Sequence, residues 1–202
     1  MLNPELLTSN LCMHGFHVVD NFLELSHYQS LYQMAEKLNK QGLFRSAKIG
    51  LKIQAQQNKT IRSDEIFWLD EESKDESIQV FLKQINHIAT QLNRTLFLGL
   101  SEFEAHFAVY QAGSFYKKHC DQFSSTKARK ISCVYYLNKQ WTNDFGGALK
   151  LYNTKDQLIQ QVLPMGNRLI CFDSELPHEV CLTYKTRYSI AGWMKTRALL
   201  PV

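Results

Sequence analysis

The sequence predicts an α+β fold, a jelly roll of short strands buttressed on one side by helices from its N-terminal half. Three observations predict it. Beyond Gly99 the apolar residues fall into short runs separated by turn signals at regular spacing, the texture of an all-β sandwich or barrel. Before Gly99 two stretches repeat apolar residues at helical spacing. The 202 residues carry 45% hydrophobic side chains, with neither an internal repeat nor a linker, so a single domain is expected over residues 1–202. Within it, a helical support region is expected over about 1–98 and the strand-rich core over about 99–197.

Taken in order, residues 1–22 read as an irregular arm leading into a short strand, Gly15 to Val19. From Ser26 the positions Tyr28, Leu31, Tyr32, Ala35 and Leu38 lie on one helical face, and Gly42 is the stop. Residues 45–64 are polar and contain a Gln-rich patch, Gln54 to Gln57, which predicts a long loop or loose hairpin suited to a substrate lid. The segment Ile61 to Leu69 then runs into a strand in which Arg62 and Asp64 share a face and can pair. Asp75 or Ser77 caps a second helix whose stripe is Ile78, Phe81, Leu82, Ile85, Ile88, Ala89 and Leu92. Strands follow at Phe103 to Tyr110, Tyr116 to Asp121, Ile131 to Leu137, Ala148 to Tyr152, Arg168 to Phe172, His178 to Leu182 and Arg187 to Met194. Turns at 111–114, 143–147 and 164–167 separate some of them.

Composition excludes several classes. A net charge of +4 is too mild to argue for nucleic-acid binding. No apolar run approaches the roughly 18 residues of a membrane span, and no charged-then-apolar leader opens the chain. Five scattered cysteines, odd in number and without a C-x-x-C pair, read as reduced buried thiols of a cytoplasmic protein. A monomer is expected.

The chemistry is carried by a few side chains. If residues 116–121 are extended, His119 and Asp121 project from one face while Cys120 points to the other. His178, between a Pro turn and a strand-like tail, is the best third ligand. Two histidines and one carboxylate on one side of an ion leave its other positions open, the arrangement of non-haem Fe(II) oxygenases. In the strand from Arg187 to Met194, Arg187, Ser189, Ala191 and Trp193 share one face, and a guanidinium among small and aromatic neighbours needs an anionic partner such as a dicarboxylate. Ser132, Val134 and Tyr136 share a face likewise. His14, His17, His27 and His87 lack a carboxylate on a shared face and read as structural.

Several motifs occur together and in order: Ile61-Arg62-Ser63-Asp64 with Trp68, His119-Cys120-Asp121, Cys133 to Lys139 followed by Trp141, Gly146-Gly147-Ala148-Leu149, Pro177-His178-Glu179-Val180, and Arg187-Tyr188-Ser189-Ile190 with Trp193. In this combination the chain resembles the Fe(II)- and 2-oxoglutarate-dependent prolyl 4-hydroxylases. The likeness is closest to the prolyl hydroxylase domain enzymes that act on hypoxia-inducible factor in animals, and to their bacterial relatives. It extends over roughly residues 15 to 197.

The resemblance implies a double-stranded β-helix, cupin-like, with Fe(II) held by His119, Asp121 and His178. It implies 2-oxoglutarate with its far carboxylate on Arg187 and Tyr136, O2 as the second co-substrate, and ascorbate as an auxiliary reductant. Tyr110, Leu149 and Trp193 would line the co-substrate pocket, and Trp68, Tyr116 and Arg129 would lie near the target proline. His106 stands where close relatives carry an apolar residue, and Ala191 is smaller than the threonine of the animal enzymes. The implied activity is 4-hydroxylation of a prolyl residue in a protein, a translation or transcription factor being the expected class. The competing readings are the same chemistry on a free amino acid, small metabolite or alkylated nucleic acid, a non-catalytic metal-binding sensor, and zinc in place of iron.

Overall fold

The computed structural model describes residues 3–47, 58–70, 72–122 and 126–197. Three helices, α1 (Pro4–His14), α2 (Leu25–Lys40) and α3 (Glu76–Leu96), accompany eleven strands. The strands are β1 (Phe16–Val19), β2 (Arg45–Ser46), β3 (Glu65–Trp68), β4 (Leu100–Tyr110), β5 (Tyr116–His119), β6 (Arg129–Tyr136), β7 (Leu149–Tyr152), β8 (Leu158–Val162), β9 (Arg168–Asp173), β10 (His178–Val180) and β11 (Arg187–Thr196). They form a seven-stranded sheet, ordered β1-β9-β6-β11-β4-β3-β2, and a four-stranded sheet, ordered β5-β10-β7-β8. All pairings are antiparallel, and neighbours in space are mostly not neighbours in sequence, which is the jelly-roll connectivity expected.

The larger sheet separates two apolar layers. On its outer face, Phe107, Val109, Tyr135, Leu137, Ile190 and Met194 pack against the helices. The α3 stripe supplies Ile78, Phe81, Ile85, Ile88 and Leu92, all buried, with Leu82 and Ala89 packed beside them. Burying each such side chain stabilises the fold by roughly 1.5–3 kcal/mol relative to exposure. Asp75, rather than Ser77, is the N-cap of α3, its carboxylate accepting from the Ser77 and Ile78 amides. Between the two sheets lies a second cluster that includes Ala108, Tyr110, Tyr136, Leu149, Leu151 and Val180.

Several expectations are corrected. Residues 4–14 are helical rather than irregular. Asn3 caps the helix by accepting from the Glu5 and Leu6 amides, Pro4 opens it, and Gly15 closes it in the left-handed region at φ +77°. The strand predicted to run through Asp121 ends at His119, and the chain bends so that the Asp121 and Gln122 amides both donate to the Ser174 carbonyl, at 3.1 and 3.0 Å. β8 was not expected, and the cysteines expected to be buried divide, with Cys133 and Cys171 buried but Cys12 and Cys120 exposed. Half of the proposed lid, residues 48–57, lies outside the described residues; on its flanks Arg45 and Ser46 pair with Ile66 and Glu65. No helix among the described residues is long and apolar enough to cross a membrane.

Candidate active site

Side-chain alternation on β11 builds the site. Tyr188, Ile190 and Met194 face the helices, while Arg187, Ser189, Ala191 and Trp193 face a cavity of about 890 Å³ between the sheets. β4 contributes Tyr110, Ala108 and His106 to the same wall, registered against Arg187, Ser189 and Ala191.

His119, Asp121 and His178 converge on one side of this cavity, their ligand atoms all within 4.8 Å of one another. The convergence follows from register, since His119 on β5 pairs directly with His178 on β10. Each imidazole sets its Nδ1 2.8 Å from a main-chain carbonyl, Lys117 for His119 and Leu176 for His178. A carbonyl only accepts, so each Nδ1 carries the proton and, in the neutral ring, Nε2 keeps its lone pair. These Nε2 atoms lie 3.6 and 3.4 Å from Asp121 Oδ1 and Oδ2.

Burial, and then the neighbouring His178, push the His119 pKa down. For His178, burial works toward a lower pKa but the Asp121 carboxylate outweighs it and raises the value. Burial would also raise Asp121, yet the two imidazoles hold it well below the usual carboxylate range. Three groups that favour an ionised carboxylate beside two imidazoles suit a divalent cation with open positions.

At the far end of the cavity Arg187 is 1% exposed, an extreme for a charged side chain. Its Nη1 reaches Ser189 Oγ at 3.4 Å, and its guanidinium lies over the rings of Tyr110 (4.8 Å) and Tyr136 (5.0 Å). Arg187 Nε and the Tyr136 hydroxyl are buried without a hydrogen-bond partner. Two orphaned donors beside a buried cation fit the carboxylate of a small diacid. Gly147, at φ +67°, permits this packing, because a Cβ there would sit 3.1 Å from Arg187 Cδ and 3.0 Å from Thr183 Oγ1.

Around the mouth, Tyr116 stacks on His119 with ring centroids 3.5 Å apart, and Arg62 covers the other side of that contact, 4.2 Å from the Tyr116 centroid. Arg62 is held by a two-pronged ion pair with Asp64, at 2.8 and 2.6 Å. The Arg129 guanidinium lies 3.5 Å over the Trp193 ring and pairs with Glu104 at 2.7 Å. Trp68 is 55% exposed and meets His106 edge-on at 5.2 Å.

Of the residues singled out from the sequence, all line the cavity except Tyr136, which is fully buried with its ring against Arg187. Two residues not singled out are Ser132 and Ser174, whose hydroxyls stand behind Asp121. Ser132 was visible as a face-mate of Tyr136; nothing in the sequence flags Ser174. His106 is buried between Trp68 and Trp193, its Nδ1 unpartnered, and burial pushes its pKa down to about 4.

Comparison with known proteins agrees with this geometry. Residues 105–195 match the model of the 2OG-Fe(II) oxygenase superfamily. Hypoxia-inducible factor prolyl hydroxylase of Caenorhabditis elegans is 30% identical over 94% of this chain, which spans 28% of that relative. Prolyl hydroxylase EGLN3 of Mus musculus is 29% identical over 90% of this chain and 80% of its own length. Among solved structures, a Pseudomonas putida prolyl-4-hydroxylase superposes with a TM-score of 0.87 at 30% identity, covering 97% of this chain and 100% of its own. A Trichoplax adhaerens prolyl hydroxylase in complex with a hypoxia-inducible factor oxygen degradation domain peptide fragment gives 0.86 at 26% identity, covering 95% and 88%. With both the ligand cluster and the buried arginine in place, the chain belongs to the 2OG-Fe(II) oxygenase superfamily, in its prolyl 4-hydroxylase family.

Proposed function

We propose that this chain hydroxylates a prolyl residue of a protein substrate at C4, with His119, Asp121 and His178 holding Fe(II) and Arg187 with Tyr136 holding the far carboxylate of 2-oxoglutarate. The observation that carries the metal assignment is the pair of Nδ1 contacts to main-chain carbonyls, which aims both Nε2 lone pairs at the carboxylate's side of the cavity. The unpartnered Arg187 Nε and Tyr136 hydroxyl support the co-substrate assignment. When bound together, the ion, the keto acid and O2 supply an oxidant, with one oxygen atom of O2 leaving in succinate beside CO2 and the other entering the substrate C–H bond.

The chain's own residues bind, orient and exclude water. The Arg187 fork reads the carboxylate bidentately and fixes the reach of the keto end toward the histidines. Leu149, Tyr110 and Trp193 wall that space with apolar surface. Trp68, 55% exposed, offers a ring at the mouth against which a prolyl ring and its peptide planes stack, with Tyr116 and Arg129 lining the entrance beside it. The peptide-bound Trichoplax relative supports a polypeptide rather than a free amino acid. The proposed substrate is a segment of a translation or transcription factor, met by a monomeric enzyme in the cytoplasm, where the five free thiols of the described residues stay reduced.

The test is anaerobic loading with Fe(II) and 2-oxoglutarate, exposure to air with host-proteome peptides, and mass spectrometry. The expected result is a gain of one oxygen on proline in a small set of peptides, with matching succinate. Succinate formation driven by free amino acids, with no peptide oxidised, would overturn the substrate assignment.

A further inference from the structure

Asp121 is held from behind by a closed ring of hydrogen bonds. Ser132 on β6 donates from Oγ to Asp121 Oδ2 at 2.7 Å, and Ser132 Oγ lies 2.9 Å from Ser174 Oγ. A carboxylate only accepts, and a hydroxyl has one proton to give. Because that proton of Ser132 goes to Asp121, Ser174 must be the donor in the second bond, and the chain runs one way, Ser174 to Ser132 to Asp121. Ser174 also returns to the same residue through its backbone, its carbonyl accepting from the Asp121 amide at 3.1 Å. Ser132 and Ser174 are 1% and 0% exposed, so bulk water does not compete for these bonds. Their frame is rigid as well: Ser132 is registered between Phe172 on β9 and Trp193 on β11, and the Ser174 amide donates to the Lys130 carbonyl at 3.0 Å.

The ring leaves the two oxygens of one carboxylate unequal. Each oxygen has one imidazole nitrogen near it, His178 Nε2 at 3.4 Å from Oδ2 and His119 Nε2 at 3.6 Å from Oδ1, but among the described residues only Oδ2 also accepts a hydroxyl, that of Ser132. In octahedral coordination, two imidazoles, one carboxylate oxygen and a chelating keto acid leave a single position vacant. A carboxylate that chelated through both oxygens would take that position. We propose that Ser132 and Ser174 are positioning residues that keep Asp121 bound through one oxygen only and so reserve a coordination position for O2. This rests on the metal assignment above, and the experiment separates the two.

The full chain is loaded anaerobically with Fe(II) and 2-oxoglutarate, and nitric oxide, an O2 surrogate, is titrated while the electron paramagnetic resonance signal is followed. Wild type is expected to bind one Fe(II) and nitric oxide. S132A is expected to bind one Fe(II) and lose nitric oxide affinity by about 10- to 100-fold. S174A is expected to lose less, and S132A/S174A to match S132A, since Ser174 acts only through Ser132. Wild-type nitric oxide affinity in S132A, loss of Fe(II) itself from S132A, or additive losses in the double variant would each overturn the proposal. Failure of the wild type to bind Fe(II) would instead overturn the metal assignment and the proposal with it.

Discussion

The two faces of the seven-stranded sheet are made by the same strands and do opposite work. The outer face is apolar, and its few polar groups are matched: the Tyr135 hydroxyl donates to Asn167 Oδ1, and the Tyr188 hydroxyl accepts from Asn39. The inner face carries a buried arginine, two buried serines and a buried histidine, and all four partnerless buried side-chain atoms among the described residues, on His106, Tyr136, Arg187 and Trp193, belong to it. Residues one apart on β11 thus serve stability and chemistry in turn. An unmatched polar group in a protein interior costs stability, and these collect where ligands are expected.

That contrast can be broken from either side. The largest effect is expected from Phe81→Ala, which empties the helix layer where Phe81 stacks on Tyr135. It should cost about 3–5 kcal/mol in denaturant unfolding while leaving the KM for 2-oxoglutarate unchanged. Arg187→Lys should do the reverse, raising that KM by about 10- to 100-fold because the point charge cannot form the planar fork, with no loss of ligand-free stability.

A further effect concerns pH. His106 has a folded pKa near 4 against 6.5 for the free side chain, because burial disfavours the imidazolium. The unfolded chain therefore binds more protons between these values. Stability contributed by the neutral ring is complete above about pH 6.5 and is lost as pH falls toward 4, by at most about 1.4 kcal/mol per pH unit. His106→Phe should flatten the stability profile by that amount between pH 4 and 6.5; an unchanged slope would show that His106 does not titrate as its burial requires.

The two faces were unequally legible in the sequence. Period-two alternation separated Arg187, Ser189 and Trp193 from Tyr188 and Ile190, because both faces of this strand are buried and their side chains differ in kind. The α3 stripe was equally plain. Asp121 was assigned to the right side for an incomplete reason: the strand stops at His119, and a bend held by Ser174 delivers the carboxylate. Ser174 gave no signal because its role exists only in three dimensions, 42 residues from Ser132. α1 was missed because it buries only Leu7 and Leu11, so its evidence lay in the caps Asn3 and Gly15 rather than in a stripe. β8 was missed because Leu158 to Val162 reads as mixed polar, and its strand character comes from pairing with β7.

The most direct test is calorimetric titration of 2-oxoglutarate into the anaerobic protein with and without Mn(II) as a redox-silent substitute for Fe(II). One molecule should bind per chain, only when the metal is present, and binding should disappear in His178→Ala. Equal binding with and without metal, or undiminished binding to His178→Ala, would contradict the view that the inner face joins a metal centre to a carboxylate cradle.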